Sequence, residues 1–123
     1  MHDPQATVRA CFDAYARQDR SALEAVIADP FSFTSPIDNR LDRATYFEHC
    51  WPNSGHISGF DIVAMATAGE KVFVTYEGSS TDGHGFRNTE VHTVRGGKIV
   101  EVEVYFGWSL PHEAPAGGFV EQD

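Results

Sequence analysis

Residues 85–108 read GFRNTEVHTVRGGKIVEVEVYFGW, and this stretch decides the fold. Arg95-Gly96-Gly97-Lys98 has the composition of a hairpin turn, with runs of strand-forming residues on either side. After the turn, Val100, Val102, Val104 and Phe106 alternate with Glu101, Glu103 and Tyr105, the period of a strand with one buried face. Before the turn, Asn88, Glu90 and His92 keep the same alternation, so three polar side chains share one face, with Val94 beyond them. Turned inward, that face lines a pocket with an amide, a carboxylate and an imidazole, and such pockets are where small-molecule chemistry happens. Turned outward, it would put Val91 in the core between Thr89 and Thr93 and leave Glu90 in water. The inward register is the expected one, because it also buries Val94.

Upstream of this hairpin the chain reads as more strand. Residues 59–67 form one, closed by Ala68-Gly69-Glu70; residues 71–79 form the next, closed by Gly83-His84-Gly85. The first half reads as helix. Asp3-Pro4 pairs a carboxylate cap with a proline at the first helical position, and Val8, Cys11, Phe12 and Tyr15 follow at helical spacing, which predicts a helix over 4–18. Ser21 and Glu24 have the spacing of a capping box for a short second helix carrying Leu23, Val26 and Ile27, ending before Pro30. Residues 31–35 alternate as a short strand stopped by Pro36, and residues 37–41 read as turn. Asp42 is placed to cap a third helix over 43–51, with Tyr46, Phe47 and Cys50 on one side and Pro52 beyond its end. Residues 53–58 read as loop. The tail over 111–123 has two prolines and two glycines in its first eight residues and is expected to be a loosely packed arm. The order is three helices, one early strand among them, then an antiparallel meander, which is the α+β class with helices on one face of a curved sheet.

A chain of 123 residues, 41% of them hydrophobic, suits one domain with one core over 1–123. Its net charge is −9, and its 9 basic residues are scattered rather than gathered in a stripe. Nucleic acid and anionic membrane surfaces are therefore not expected as partners. The start, MHDPQATV, lacks the basic-then-apolar layout of a secretory signal, so the expected compartment is the cytoplasm. Cys11 and Cys50 fall in separate helices, and unpaired, buried thiols are expected there. The six histidines show no ligand spacing, so no metal and no other cofactor is expected.

The helix ending in ARQD, the SALEAVIAD helix, the FSFTSPID strand with its proline, the helix DRATYFEHCW and the hairpin RGGKIVEVEVYFG together resemble the NTF2-like superfamily, and within it the SnoaL-like group. The resemblance runs from Val8 to Trp108. It implies a cone: three helices packed on a strongly curved antiparallel sheet, enclosing a cavity for a small-molecule ligand, and a homodimer formed through the outer face of the sheet. It spans isomerases, polyketide cyclases, dehydratases, epoxide hydrolases and proteins without chemistry.

Ketosteroid isomerase, a distant relative, implies three positions to inspect: a carboxylate just before the proline of the early strand, a tyrosine on the first helix, and a protonated carboxyl on the penultimate strand. Here Ser35 precedes Pro36, Ala14 meets the tyrosine position with Tyr15 one place along, and Glu90 meets the acid position. Asp38, three residues beyond Ser35, is the nearest acid to the lost base position. The candidate catalytic residues are thus Asp38 as base, with Glu90 and His92 as an acid–base pair that polarises a substrate oxygen. Asp38 has a plainer alternative as a turn residue paired with Arg40 or Arg43. Tyr15, Tyr46, Trp51, Asn88 and Phe106 are the candidate ligand contacts, and Tyr76 and Trp108 are further aromatic candidates. Arg87 is expected on the outer face or beside an acid. The expected activity is a cofactor-independent isomerisation, cyclisation or dehydration of a small apolar oxygenated molecule, with a non-catalytic binding or dimerisation module as the alternative. Epoxide hydrolysis would need an arginine bridging two acids inside the cavity, and the sequence places none there.

Overall fold

A computed structural model describes residues 3–121. Helix α1, Pro4–Arg17, starts where expected: Asp3 accepts from the Gln5 N–H at 3.0 Å and Pro4 fills the first turn. Its inner face buries Val8, Cys11, Phe12 and Ala14. Helix α2, Arg20–Val26, is capped by Asp19, which accepts from the Ala22 N–H at 3.1 Å; the Ser21–Glu24 capping box does not form. An acid two residues earlier takes the capping role, so the helix starts sooner.

Strand β1, Ile27–Ser35, is longer than the alternation of 31–35 suggested and runs straight out of α2 through Pro30. The expected turn over 37–41 is instead strand β2, Asp38–Leu41, which folds back antiparallel on β1. Helix α3, Arg43–His49, is capped by Asp42, which accepts from the Thr45 N–H at 2.8 Å. It stops two residues short of Trp51, and a 3₁₀ helix, Trp51–His56, occupies most of the expected loop. Pro52 accounts for this: it has no N–H to extend the α-helical ladder but suits the first turn of a new, tighter helix. Strands β3 (Ile57–Ala68), β4 (Lys71–Ser80), β5 (Gly85–Arg95) and β6 (Lys98–Leu110) complete the chain. The described part of the tail beyond β6 has no helix or strand, as expected of an arm, and its last two residues lie outside the described ones.

The six strands form one sheet in the order β2-β1-β6-β5-β4-β3. The meander is antiparallel as expected, but β1 joins β6 in parallel, a pairing that no local signal announces. The sheet is curved and does not close into a barrel, and the three α-helices sit with it in an α+β arrangement. Bulges help to bend it. In β6 the register jumps from Arg87↔Trp108 to Asn88↔Phe106, leaving Gly107 unpaired. A Cβ on Gly107 would lie 2.1 Å from the Arg87 carbonyl oxygen, so this close approach requires glycine. A second jump, from Thr93↔Glu101 to Val94↔Ile99, leaves Val100 over. Ile99 therefore enters the core with Val102 and Val104, and Val100 does not take the inward place its alternation predicted.

The core runs from Val8 and Phe12 through Leu23 and Ile27 to Val72, Val74, Ile99 and Val102. No described helix is long and apolar enough to cross a membrane. Cys11 and Cys50 are both free thiols.

Candidate functional site

Between the helices and the concave face of the sheet lies a cavity of about 270 Å³. The β4 alternation that buries Val72 and Val74 brings Tyr76 into its wall, and the matching β5 alternation brings in Asn88, Glu90 and His92. The inward register of β5 is the one adopted. Val94 is buried on that face, yet Val91 and Thr93 on the other face are buried too, so burial alone does not separate the two faces.

Glu90 is the centre of a hydrogen-bonded chain. Its Oε2 accepts from the Tyr76 hydroxyl at 2.5 Å, and its Oε1 lies 2.9 Å from His92 Nε2. Asn88 Nδ2 donates to the Tyr76 oxygen at 3.4 Å, and Asn88 Oδ1 accepts from the Gly107 N–H at 3.2 Å. The bulge that bends β6 therefore also fixes the outermost member of the chain. Burial first, and then the nearby Glu90 charge, holds the Tyr76 hydroxyl proton far above its ordinary range, so Tyr76 is a donor at any ordinary pH. His92 is 1% exposed, and its Nδ1 has no hydrogen-bond partner among the described residues. With the Nε2 proton on Glu90, Nδ1 is a buried lone pair left free.

A second polar group comes from the helices. The hydroxyls of Tyr15 on α1 and Tyr46 on α3 hydrogen-bond to each other. Burial pushes both phenols well above the ordinary range, so both stay protonated. Two hydroxyl protons and one bond leave one proton without an acceptor among the described residues. The third group is Asp38, at the start of β2. Its Oδ2 accepts from the Ser35 hydroxyl at 2.7 Å, and its Oδ1 lies 3.2 Å from His49 Nε2. Neither Arg40 nor Arg43 is its partner. Arg43 instead donates to the carbonyls of Glu24, at 3.1 Å, and Ile27, closing the end of α2. The Asp38 side chain is 10% exposed and faces the cavity, while His49, 63% exposed, stands outside it.

Of the residues expected from sequence, Asp38, Glu90, His92, Tyr15, Tyr46, Asn88 and Phe106 all line this cavity. Trp51 does not; it packs behind Tyr15 with ring centroids 5.2 Å apart. Its place at the start of the 3₁₀ helix, rather than the end of α3, turns it away. Trp108 is also absent from the wall. It lies past the Gly107 bulge on the Arg87 side of the sheet, under that guanidinium. Arg87 pairs with Glu77 at 2.9 Å. His49, Ser35, Cys50, Phe60 and Phe86 were missed. Phe86 could have been read from the β5 alternation. His49 could not, because its contact with Asp38 depends on how α3 packs beside β2. Among the described residues no cluster of metal-ligating side chains occurs.

A family model for the SnoaL-like domain matches residues 8–102, and the chain belongs to that family. Solved structures place the fold in the NTF2-like superfamily. An NTF2-like protein of Burkholderia thailandensis shares 26% identity over 87% of this chain and 92% of its own, with a TM-score of 0.69. A Sinorhizobium meliloti protein assigned as a polyketide cyclase shares 19% identity over 80% of this chain and 93% of its own, with a TM-score of 0.70. An LEH-like epoxide hydrolase of M. tuberculosis shares 19% identity over 85% of this chain and 78% of its own, also with a TM-score of 0.70. At these identities the last two likenesses speak for the fold alone. No curated protein sequence matches the chain.

Proposed function

We propose that this protein binds a small, largely apolar, oxygenated molecule in the cavity and moves a proton on it by acid–base catalysis with side chains alone. The observation that carries the reading is the Tyr76–Glu90–His92 chain: a carboxylate and an imidazole, 14% and 1% exposed, in the wall of a pocket whose remaining lining is mostly aromatic and aliphatic. Buried ionisable groups are costly to fold, and a cavity lined with them is the usual place for proton chemistry. Asp38 takes a proton from a carbon next to the substrate carbonyl. The uncommitted hydroxyl proton of the Tyr15–Tyr46 pair stabilises the charge that develops on oxygen. Return of the proton to another carbon gives isomerisation; loss of a hydroxyl gives dehydration. Glu90 and His92 hold or return a proton at the far wall, and Asn88 and Phe106 orient the ligand near the bulge. Epoxide hydrolysis is not supported, since the cavity wall has no arginine among the described residues.

The outer face of the sheet supports a second part of the reading, a homodimer. Phe73 and Tyr105 are 40% and 54% exposed there, beside the outward acids Glu101 and Glu103. Light scattering at micromolar concentration reads the mass directly.

One observation favours the binding-module alternative. Both carboxylates already have each oxygen engaged by a protein group. Exchange in D₂O separates the two readings. Small cyclic ketones, with 2-tetralone as the first probe, are incubated with the protein and deuterium uptake beside the carbonyl is followed by NMR. Catalysed uptake that falls about a hundredfold in Asp38→Asn is expected. Ketones that bind without exchange above buffer would establish a binding module instead.

A further inference from the structure

The cavity wall contains two carboxylates, Asp38 and Glu90, and eight aromatic side chains, but neither lysine nor arginine among the described residues. The whole chain adds a net charge of −9. A carboxylate or phosphate entering this space would meet two like charges and no counter-charge, in a medium where such charges are poorly screened. A cation would meet the reverse. Aromatic faces attract cations through their quadrupoles, and more strongly once water is excluded.

The two acids are not equivalent. Glu90 has one oxygen 2.9 Å from the buried His92 and the other under the Tyr76 hydroxyl. Asp38 has one oxygen on the neutral Ser35 hydroxyl and the other on His49, which is 63% exposed and stands outside the cavity. Both carboxylates stand in the cavity wall, and each Asp38 oxygen, bonded once, keeps a second lone pair for a further donor. The remaining unpartnered buried atom, His92 Nδ1, is a further acceptor when the ring is neutral. The Tyr15–Tyr46 pair offers the ligand a hydroxyl proton, and the side-chain amides of Asn53 and Asn88 also stand in the wall. The wall thus asks for a ligand that donates to the carboxylates, accepts from the tyrosine pair and is not negative.

We infer that the natural ligand carries a basic nitrogen: it is a small aromatic or alicyclic amine, bound as its ammonium form between Asp38 and the aromatic wall, with its oxygen at the tyrosine pair. This rests on the reading that the cavity is a ligand site and not on Asp38 acting as base: an ammonium held there occupies that carboxylate, so it is the binding-module reading that the inference deepens. A double-ring skeleton of about a dozen heavy atoms fills most of a space of about 270 Å³ at the packing density of protein interiors.

The test uses one skeleton in three charge states: 1-naphthylmethylamine, 1-naphthalenemethanol and 1-naphthoate, titrated calorimetrically into the full chain at pH 8, where the amine is cationic and the acid anionic. The amine is expected to bind at least about tenfold more tightly than the alcohol, and the acid about tenfold or more weaker than the alcohol. In Asp38→Asn the amine-to-alcohol ratio should fall to within about threefold of unity. If that variant does not fold, the N-acetylated amine on the unaltered protein serves the same purpose, because it removes the charge and keeps the skeleton; it should bind no better than the alcohol. Equal affinity for amine and alcohol would overturn the inference and leave the cavity reading in place. Tighter binding of the naphthoate would overturn it as well. A failure of all three probes at millimolar concentration would count against the cavity reading itself.

Discussion

Tyr76→Phe removes one hydroxyl and nothing else from a buried wall, so its consequences can be worked from the geometry. The main lost bond is 2.5 Å long and ends on the Glu90 carboxylate, whose side chain is 14% exposed; the longer contact from Asn88 Nδ2, at 3.4 Å, goes with it. A hydrogen bond to a charged group contributes about 1.5–3 kcal/mol, against about 0.5–1.5 for a neutral pair. Water replaces the hydroxyl poorly here, because the aromatic ring that remains keeps the space beside Oε2 filled. The unfolding entropy of a chain of 123 residues is about 0.26 kcal/mol/K, so the melting temperature should drop by about 6–12 °C. Repeating the substitution in a Glu90→Gln background removes only a neutral bond, and the drop there should be about half as large. The difference between the two drops is the coupling between hydroxyl and charge. Thermal unfolding followed by circular dichroism reads all four proteins. A loss under about 2 °C in the single variant, or the same loss in both backgrounds, would refute the view that the Tyr76 hydroxyl is held by the buried Glu90 carboxyl group.

Three other outcomes are expected. Gly107→Ala puts a methyl 2.1 Å from the Arg87 carbonyl oxygen, so the bulge must shift and the fold should lose about 1–3 kcal/mol in urea titrations; an unchanged midpoint would mean that the bulge is not required. Burial, with Asp38 nearby, pushes the Cys50 thiol up to about 11, so iodoacetamide at pH 8 should alkylate it about a hundredfold more slowly in the folded than in the urea-unfolded chain, as mass spectrometry will show. Burial also holds the protons of Tyr15, Tyr46 and Tyr76 above the ordinary phenol range. The unfolded chain releases them from about pH 10 upward, so stability from this source is intact below that pH and falls above it, by up to about 1.4 kcal/mol per hydroxyl per unit. A urea midpoint that stays flat between about pH 9 and 11 would contradict the burial of these hydroxyls.

Much of this molecule was legible in its residues. The Asp3-Pro4 start of α1, the Asp42 cap of α3 and the Gly96-Gly97 turn depend on neighbours within a few positions, and all three form as read. So does the inward face of β5, because a two-residue period survives any tertiary arrangement that buries one side of a strand. The misreadings share a cause. The cap of α2 falls on Asp19 because two nearby acceptors offered two possible helix starts, and the one two residues earlier is used. Trp51 left the cavity because a proline ended one helix and began another. Val100 lost its place because a bulge adds a residue and reverses the alternation beyond it.

The sequence by itself determined the three α-helices, the four-strand meander, the α+β class and the polar face formed by Asn88, Glu90 and His92, since each follows from local preference or simple periodicity. Only the tertiary structure decided that β1 lies parallel to β6, that Tyr76 reaches Glu90, that Tyr15 meets Tyr46, and that Asp38 stands between the cavity and His49. These pairs are far apart in the chain or on different elements. Their contact depends on how helices and a bent sheet fill space together, and no local pattern encodes that.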